Sequence, residues 1–367
     1  MRKMIGKAVV MALMMSLAAG ISPAEEEKSF SVLSATDKVT LSGTVEVEAG
    51  YSSDFTDVDT SEISLATVEL GVDAAINDWT NGHALFKWDD DELFVDEGFI
   101  TLGGTDTIPV YLTAGLLYVP FGVYETNMIS DPLTLEIGET RESAVQVGVD
   151  VKGFYGSLYV FNGDVQEDTN SEDDTIESFG AGAGYMLEKE NLSLNVGVDY
   201  ISNILDSDGL GDGFTEAQES YLETNPNGSY GLKDYAAGFG VHLVMGIGPV
   251  TLIGEYISAI DDPEFNTDDG AGTTAIVKTD GPIAYHLECA YTFEVKEKEV
   301  TLACAYQATD NLGGTLPETR FGGAAGIGLS DNASLTAEYM HDEDYDTADG
   351  GTGESADAVT LQLALAF

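Results

Sequence analysis

VTLSGTVEVEAGY, Val39 to Tyr51, alternates in chemistry residue by residue: Val39, Leu41, Val45, Val47, Ala49 and Tyr51 share one parity, and Thr40, Thr44, Glu46 and Glu48 the other. Side chains of an extended strand point to opposite faces in turn, so such a stretch presents one apolar and one polar face. The next stretch, Ser61 to Asn77, repeats the arrangement, with Ala66, Val68, Leu70, Val72, Ala74 and Ile76 set against Thr67, Glu69 and Asp73. A soluble sandwich alternates in the same way. The choice between a sandwich and a membrane barrel, whose apolar side chains meet lipid and whose polar ones line a lumen, rests on what lies between the strands.

Further alternating stretches run over Gly82–Trp88, Leu93–Leu102, Pro109–Val119, Ser143–Val151, Phe154–Phe161, Glu177–Met186, Leu192–Ile201 and Tyr235–Gly246. They continue over Val250–Ile260, Ile283–Phe293, Val300–Ala308, Thr319–Leu329, Ala333–Met340 and Ala358–Phe367. One set of connections is short: Asp78–Asn81, Gly103–Asp106, Lys152–Gly153, Leu187–Asn191, Gly246–Pro249, Glu294–Glu299 and Ser330–Asn332. The other set is long, at Ser52–Thr60, Phe121–Glu142, Asn162–Ile176, Ser202–Lys233, Asp261–Gly281, Thr309–Glu318 and His341–Asp357, with only Asp89–Glu92 short. Short periplasmic turns alternating with long outer loops are the mark of an outer-membrane barrel. The expected fold is all-β: a transmembrane antiparallel β-barrel of about 16 strands over residues 38–367, with long acidic extracellular loops.

The start of the chain agrees with export. Arg2, Lys3 and Lys7 precede the apolar run Ala8–Ala19 and the small residues Ser22-Pro23-Ala24, which reads as a signal peptide over 1–24, followed by a short periplasmic lead-in at 25–37. That apolar run falls short of the roughly 20 residues of a membrane helix. The last strand, Val359, Leu361, Leu363, Leu365 and Phe367, ends on an aromatic, as do outer-membrane barrels recognised by the barrel-assembly machinery. A net charge of −51 argues against nucleic-acid partners, while 43% apolar residues with 17 Tyr and 15 Phe exclude a disordered polyanion. Lys152, Lys189, Lys296 and Lys298 fall in the short turns, and acidic runs such as Glu167–Asp174 and Asp261–Glu264 in the long loops. The expected surroundings are therefore the bilayer and the lipopolysaccharide of a Gram-negative outer membrane.

Parity assigns Glu46, Glu48, Glu69, Asp73, Asp150, Asp199, Glu255, Glu288 and Glu338 to the lumen, with Lys87 and Arg320 as the basic residues facing them. Two roles stand for these carboxylates: a charged lining that favours cations, or structural partners. The third outer loop, Phe121–Glu142, carries Arg141 among Glu136, Glu139 and Glu142; folded inward, these four would form the constriction. Cys289 and Cys304 flank one turn symmetrically on the lipid-facing parity, so they are either a cross-strand disulfide or a pair of small apolar side chains. His83, His242, His286 and His341 are scattered with no nucleophile motif beside them, and no clustered metal or haem ligands occur. The residues point away from an enzyme and from a cofactor.

The segment GLLYVPFG, Gly115–Gly122, together with SDPLTLEIGETRESAVQVGV, Ser130–Val149, resembles the LbtU family of siderophore porins. The resemblance covers about 35 residues closely and the rest through the barrel pattern alone. It implies passive, plug-less uptake of iron-siderophores or similar small solutes. Some members carry a helical segment before the barrel, for which Glu25–Asp37 is too short. The alternatives are a general cation-preferring diffusion porin and, from other classes, a barrel enzyme or an adhesin. A homotrimer follows from porin analogy.

Overall fold

The computed structural model describes residues 38–89, 92–105, 107–167 and 175–367. The expected leader and lead-in lie outside the described residues, as does residues 168–174 of the acidic run. The chain contributes strands β1 (Val39–Ser53), β2 (Asp59–Asn77), β3 (Thr80–Asp89), β4 (Glu92–Gly103), β5 (Val110–Tyr118), β6 (Arg141–Val151), β7 (Phe154–Phe161), β8 (Ser178–Lys189) and β9 (Leu192–Ile201). There follow β10 (Ser229–Asp234), β11 (Gly238–Ile247), β12 (Val250–Ala259), β13 (Glu264–Asp268), β14 (Thr274–Lys278), β15 (Ile283–Val295), β16 (Lys298–Asp310), β17 (Thr319–Ser330), β18 (Ala333–Glu343) and β19 (Ser355–Ala366). Sixteen of them, all but β10, β13 and β14, close into one antiparallel barrel in chain order.

Closure is made by β1 on β19, with Thr44 opposite Ala366 and Ser53 opposite Asp357. At the seam Gly43 and Phe367 exchange backbone hydrogen bonds of 2.9 and 3.0 Å. The glycine leaves room there, since a Cβ at residue 43 would sit 2.5 Å from the Phe367 ring and 2.9 Å from the Glu69 carbonyl oxygen. A closed barrel leaves no unpaired strand edge, which is the condition for a sheet to stand in hydrocarbon. The outer wall fits that medium: Leu158 is 69% exposed, Val198 56% and Leu363 49%. Ring pairs flank the apolar band, with Phe154–Tyr185 at 4.6 Å towards the short turns and Tyr306–Phe321 at 4.8 Å towards the long loops.

Four register shifts interrupt strict pairing in the barrel, two of them beside short turns, at Ile76 and Leu329, and two within the wall. On β2 the pairing skips Ala66, with Glu46 opposite Thr67 but Val47 opposite Leu65. This bulge lets Ile63 and Leu65 share the lipid face with the even-numbered Leu70, so the expected even parity holds only beyond Ala66. On β4 the skipped residue is Asp96, with Leu85 opposite Glu97 and Phe86 opposite Val95. Consecutive acids, Asp96 and Glu97, are thereby both buried.

The long loops are not the wholly solvated segments their acidity suggests. β10 from one loop pairs with the β13–β14 hairpin of the next to form a separate three-stranded sheet. A short helix, α1 (Leu133–Gly138), lies in the third outer loop, and a longer one, α2 (Asp208–Thr224), precedes β10. Phe214 of α2 meets Tyr230 of β10 and Phe265 of β13 at ring distances of 5.8 and 5.7 Å. These aromatic contacts give the outer sheet its own apolar core, with Val165, Leu205 and Leu232.

Cys289 and Cys304 lie directly opposite one another on β15 and β16. Both are exposed free thiols, the Cys304 Sγ lying 3.7 Å from the Cys289 carbonyl oxygen. Alkylation of the unfolded chain without reductant is expected to add two labels. A chain labelled at these positions only after reduction would carry the disulfide instead.

Candidate functional site

The loop joining β5 to β6 enters the barrel, because the acceptors for its backbone are on the opposite inner wall. Val123 N–H donates to Glu255 Oε1 at 2.6 Å, and Tyr124 N–H reaches both oxygens of that carboxylate at 3.4 and 3.3 Å. Asn127 donates to Glu288 from its backbone N–H at 2.9 Å and from Nδ2 at 2.7 Å, and Thr126 Oγ1 donates to the same carboxylate at 2.6 Å. Ile129 N–H donates to Glu338, as do Ser130 N–H at 3.1 Å and Ser130 Oγ at 2.5 Å. On the return path Leu133 N–H donates to Gln307 Oε1 and Thr134 Oγ1 to Glu255 Oε2, each at 2.6 Å. Glu255, Glu288, Gln307 and Glu338 stand on β12, β15, β16 and β18, so the loop is fastened across that whole wall.

Each of these carboxylates is at most 5% exposed. A buried carboxylate needs several donors to stand ionised, and an irregular loop inside a barrel needs acceptors for its N–H groups. The two demands answer one another. Hydrogen bonds to a charged group contribute about 1.5–3 kcal/mol each. Of the two roles open to Glu255, Glu288 and Glu338, their hydrogen bonds are those of structural partners.

Apolar packing supports the same path. Phe121, Tyr124, Leu135 and Ile137 of the loop pack with Leu117, Tyr159, Phe161, Ile201, Ile204 and Ile257 in one core inside the barrel. Met128 packs farther along against Ala303, Ala324 and Met340. Gly122, at φ +81°, and Gly138 leave room for the Tyr124 ring, whose atoms would lie 2.4 and 2.5 Å from an added Cβ. The hydroxyl of Tyr124 donates to the Phe121 carbonyl at 2.5 Å.

The second long contact of the loop is with α2. Asp208 N–H donates to the Glu139 carbonyl at 2.8 Å, and Arg141 N–H to Asp208 Oδ1 at 3.1 Å. Glu139 is 5% exposed, and burial, reinforced by Asp208 and Asp131, pushes its carboxyl up to about 10. Burial chiefly, with Glu255 and Glu288 nearby, pushes Glu125 up to about 7. Glu136 is raised by burial and drawn back by Arg320.

The anticipated cluster of Arg141 with Glu136, Glu139 and Glu142 does not form as an ion-pair group. Arg141 instead lies against Asp96, Nε to Oδ1 at 4.0 Å, and Tyr118 OH donates to the same carboxylate at 3.2 Å. The bulge on β4 explains the exchange, since it turns Asp96 towards the start of β6. Glu136 finds Arg320 as its basic neighbour, and Glu142 is buried on β6. Arg320 itself makes a two-toothed pair with Asp342, both contacts at 2.8 Å.

On the facing wall Lys87 lies 3.6 Å from Glu69, and His83 lies 2.7 Å from Asp73 and 3.8 Å from Glu97. Glu48 accepts from Gln362 at 2.7 Å. His242 is buried between Asp199, 3.4 Å away, and the Tyr155 hydroxyl, 3.0 Å away. His286 is buried 3.4 Å from Glu288. Asp150 stands exposed at the short-turn end of β6.

Sequence reading omitted Gln307, Asp96, Glu97, Tyr118 and Asp208. Parity alone places Gln307 on the lumen side with Ala305 and Ala303. Asp96 and Glu97 were signalled by the switch of apolar parity from Leu93 and Val95 to Ile100 and Leu102. Nothing local marks Asp208 as a partner of the third loop.

A sixteen-stranded closed barrel with an inward third loop is the architecture of outer-membrane porins. No protein-family model matches the chain. It is 28% identical over 354 residues to a UPF0422 protein of Coxiella burnetii, covering 90% of this chain and 72% of the relative. A UPF0422 protein of Legionella pneumophila is 27% identical over 368 residues, and the chain spans 66% of that relative's length. Among solved structures, the outer membrane channel DcaP of Acinetobacter baumannii matches with a TM-score of 0.58 at 15% identity, over 90% of this chain and 97% of that one. An anion-selective porin from Comamonas acidovorans matches with a TM-score of 0.58 at 14% identity, over 90% and 99%. These likenesses establish the porin-type barrel fold.

Glu338→Gln should loosen the loop by about 1–3 kcal/mol, because an amide cannot accept all the donors that the carboxylate holds. Hydrogen exchange over Thr126–Ser130 should accelerate, and unchanged protection would refute the anchoring role. An acid with a raised folded-state pKa holds its proton more tightly when folded. Its contribution to stability therefore declines as pH rises from the unfolded value near 4.5 towards about 7 for Glu125. The loop should exchange faster at pH 8 than at pH 6 after correction for intrinsic rates, and Glu125→Gln should reduce the difference.

Proposed function

We propose that the chain is a passive outer-membrane channel for small solutes that prefers cations, with its passage set by the inward third loop. The observation that carries this reading is the fastening of that loop to Glu255, Glu288, Gln307 and Glu338. The loop covers one wall, and Glu69, Asp73 and Lys87 stand on other strands, β2 and β3. Each base named for the lumen is held by an acid: Lys87 by Glu69, Arg320 by Asp342 and Arg141 by Asp96. Acidic groups are in excess over these bases, and a charged lining acts on the ions that pass it. A porin described as anion-selective has a similar fold, so the fold by itself does not decide the sign of the preference.

One observation favours iron-siderophores within this reading. The segments that resemble the siderophore porins, Gly115–Gly122 and Ser130–Val149, are those that build the inward loop and its flanks, including Gly122 and Gly138. An acidic passage suits a neutral or cationic ferric siderophore better than a polycarboxylate one. The surrounding partners in this reading are lipid and lipopolysaccharide, with assembly through Phe367 and a homotrimer as the porin-like state.

Planar-bilayer recording on the folded barrel tests the reading. A stepwise conductance with a cation-signed reversal potential in a KCl gradient is expected. Glu136→Gln should reduce that preference, and the double substitution Glu288→Gln with Glu338→Gln should enlarge or destabilise the open level. Block by one ferric siderophore would select the dedicated route, and indifference to all of them the general one. An anion-signed potential would overturn the cation preference, and absence of current the channel itself.

A further inference from the structure

The lumen wall formed by β5, β6 and β7 is built differently from the rest, by tyrosines laid across glycines of the neighbouring strand. Tyr111 is opposite Gly148, and Tyr155 is opposite Gly184. A Cβ on Gly148 would sit 2.2 Å from the Tyr111 ring, and one on Gly184 2.2 Å from the Tyr155 ring. Gly197, the next position in the same row, continues the clearance: its Cβ would meet His242 at 2.4 Å and the Tyr155 hydroxyl at 2.7 Å. The glycines therefore make room for the rings to lie along the wall.

The hydroxyl ends are pinned. Gln146 Nε2 donates to the Tyr111 hydroxyl at 3.0 Å, and the Tyr155 hydroxyl donates to Asn195 Oδ1 at 2.9 Å and lies 3.0 Å from His242 Nε2. Both rings are half-buried, so neither is covered as Tyr159 is by the core inside the barrel. Between them stands Asp150. It lies directly opposite Tyr155 and two residues beyond Gly148 on the same face, which puts it diagonal to Tyr111. Its carboxylate is exposed and has no hydrogen bond or ion pair among the described residues, Lys152 in the adjoining turn included.

We infer that Tyr111, Asp150 and Tyr155 form a binding site for organic ammonium cations at the periplasmic end of the passage, beyond the third loop. This rests on the channel reading and names a solute class for it. A carboxylate neutralises the charge, and a ring face offers its negative quadrupole to the alkyl-substituted nitrogen. The two act together only where the rings are held still, which the paired glycines and pinned hydroxyls provide. A small hydrated metal ion gains little from such faces, so the site separates organic cations from potassium.

Tetraethylammonium is the probe. In bilayer recordings it should reduce the KCl current more strongly from the periplasmic side than from the outer side. Asp150→Asn and Tyr155→Leu should each weaken that block about tenfold, while Tyr155→Phe, which keeps the ring but releases its edge from Asn195 and His242, should weaken it less than Tyr155→Leu does. Block of equal strength in wild type and Asp150→Asn overturns the site even though the channel conducts. If the barrel does not conduct, the channel reading fails and the site is still tested, by calorimetric titration of the folded protein in detergent with tetraethylammonium. Binding by wild type that Asp150→Asn abolishes supports the site; no binding by wild type overturns it.

Discussion

The interior of this barrel depends on the match between unpaired loop N–H groups and three buried carboxylates. Glu255, Glu288 and Glu338 are lumen-facing on strands that β-pairing has already satisfied, so their side chains remain the wall's unmet demand. The stretch Val123–Ser130 has the converse demand, since it is neither helix nor strand and Tyr124, Met128 and Ile129 within it are buried. Either partner alone would be costly to bury. Together they fix the loop against β12–β18, and the apolar side chains Phe121, Tyr124 and Ile137 then fill the space beside it.

Much of the barrel was legible because its two faces meet different media along most of every strand. Period-two patterning located all sixteen barrel strands, and loop length gave the two ends their identity. Parity also put Glu255, Glu288 and Glu338 on one face, the face to which the third loop is fastened. It carried no information on whether they would face solutes or loop amides, because that depends on a segment more than a hundred residues away in the chain. Arg141 shows the other limit. Its neighbours in sequence are Glu139 and Glu142, but its partner is Asp96, turned towards it by a bulge that displaces one residue of β4.

The acidic outer loops misled for a different reason. Charge density suggested solvated segments, yet Leu232, Phe265, Phe214 and Tyr230 were already present among the acids. Each loop holds too few of these residues to form a core by itself, and only pairing β10 with β13 joins them. The signal was divided between Ser202–Lys233 and Asp261–Gly281, and local pattern cannot add two such halves. The same outer structure reaches inward through α2, whose Asp208 touches both ends of the segment Glu139–Arg141. The outer cap and the inner loop are therefore one continuous packing arrangement.

The span of these contacts also orders assembly. Glu338 is separated from Ser130 by 208 residues, and Glu255 from Thr134 by 121. Such long closures are entropically costly unless the intervening chain is already organised. The strands between supply that organisation, because each pairs with the strand next in the barrel and needs only a short turn or a local loop. The third loop can acquire its full set of acceptors only when β12, β15, β16, β17 and β18 stand side by side. Docking of the loop is thus coupled to completion of the barrel.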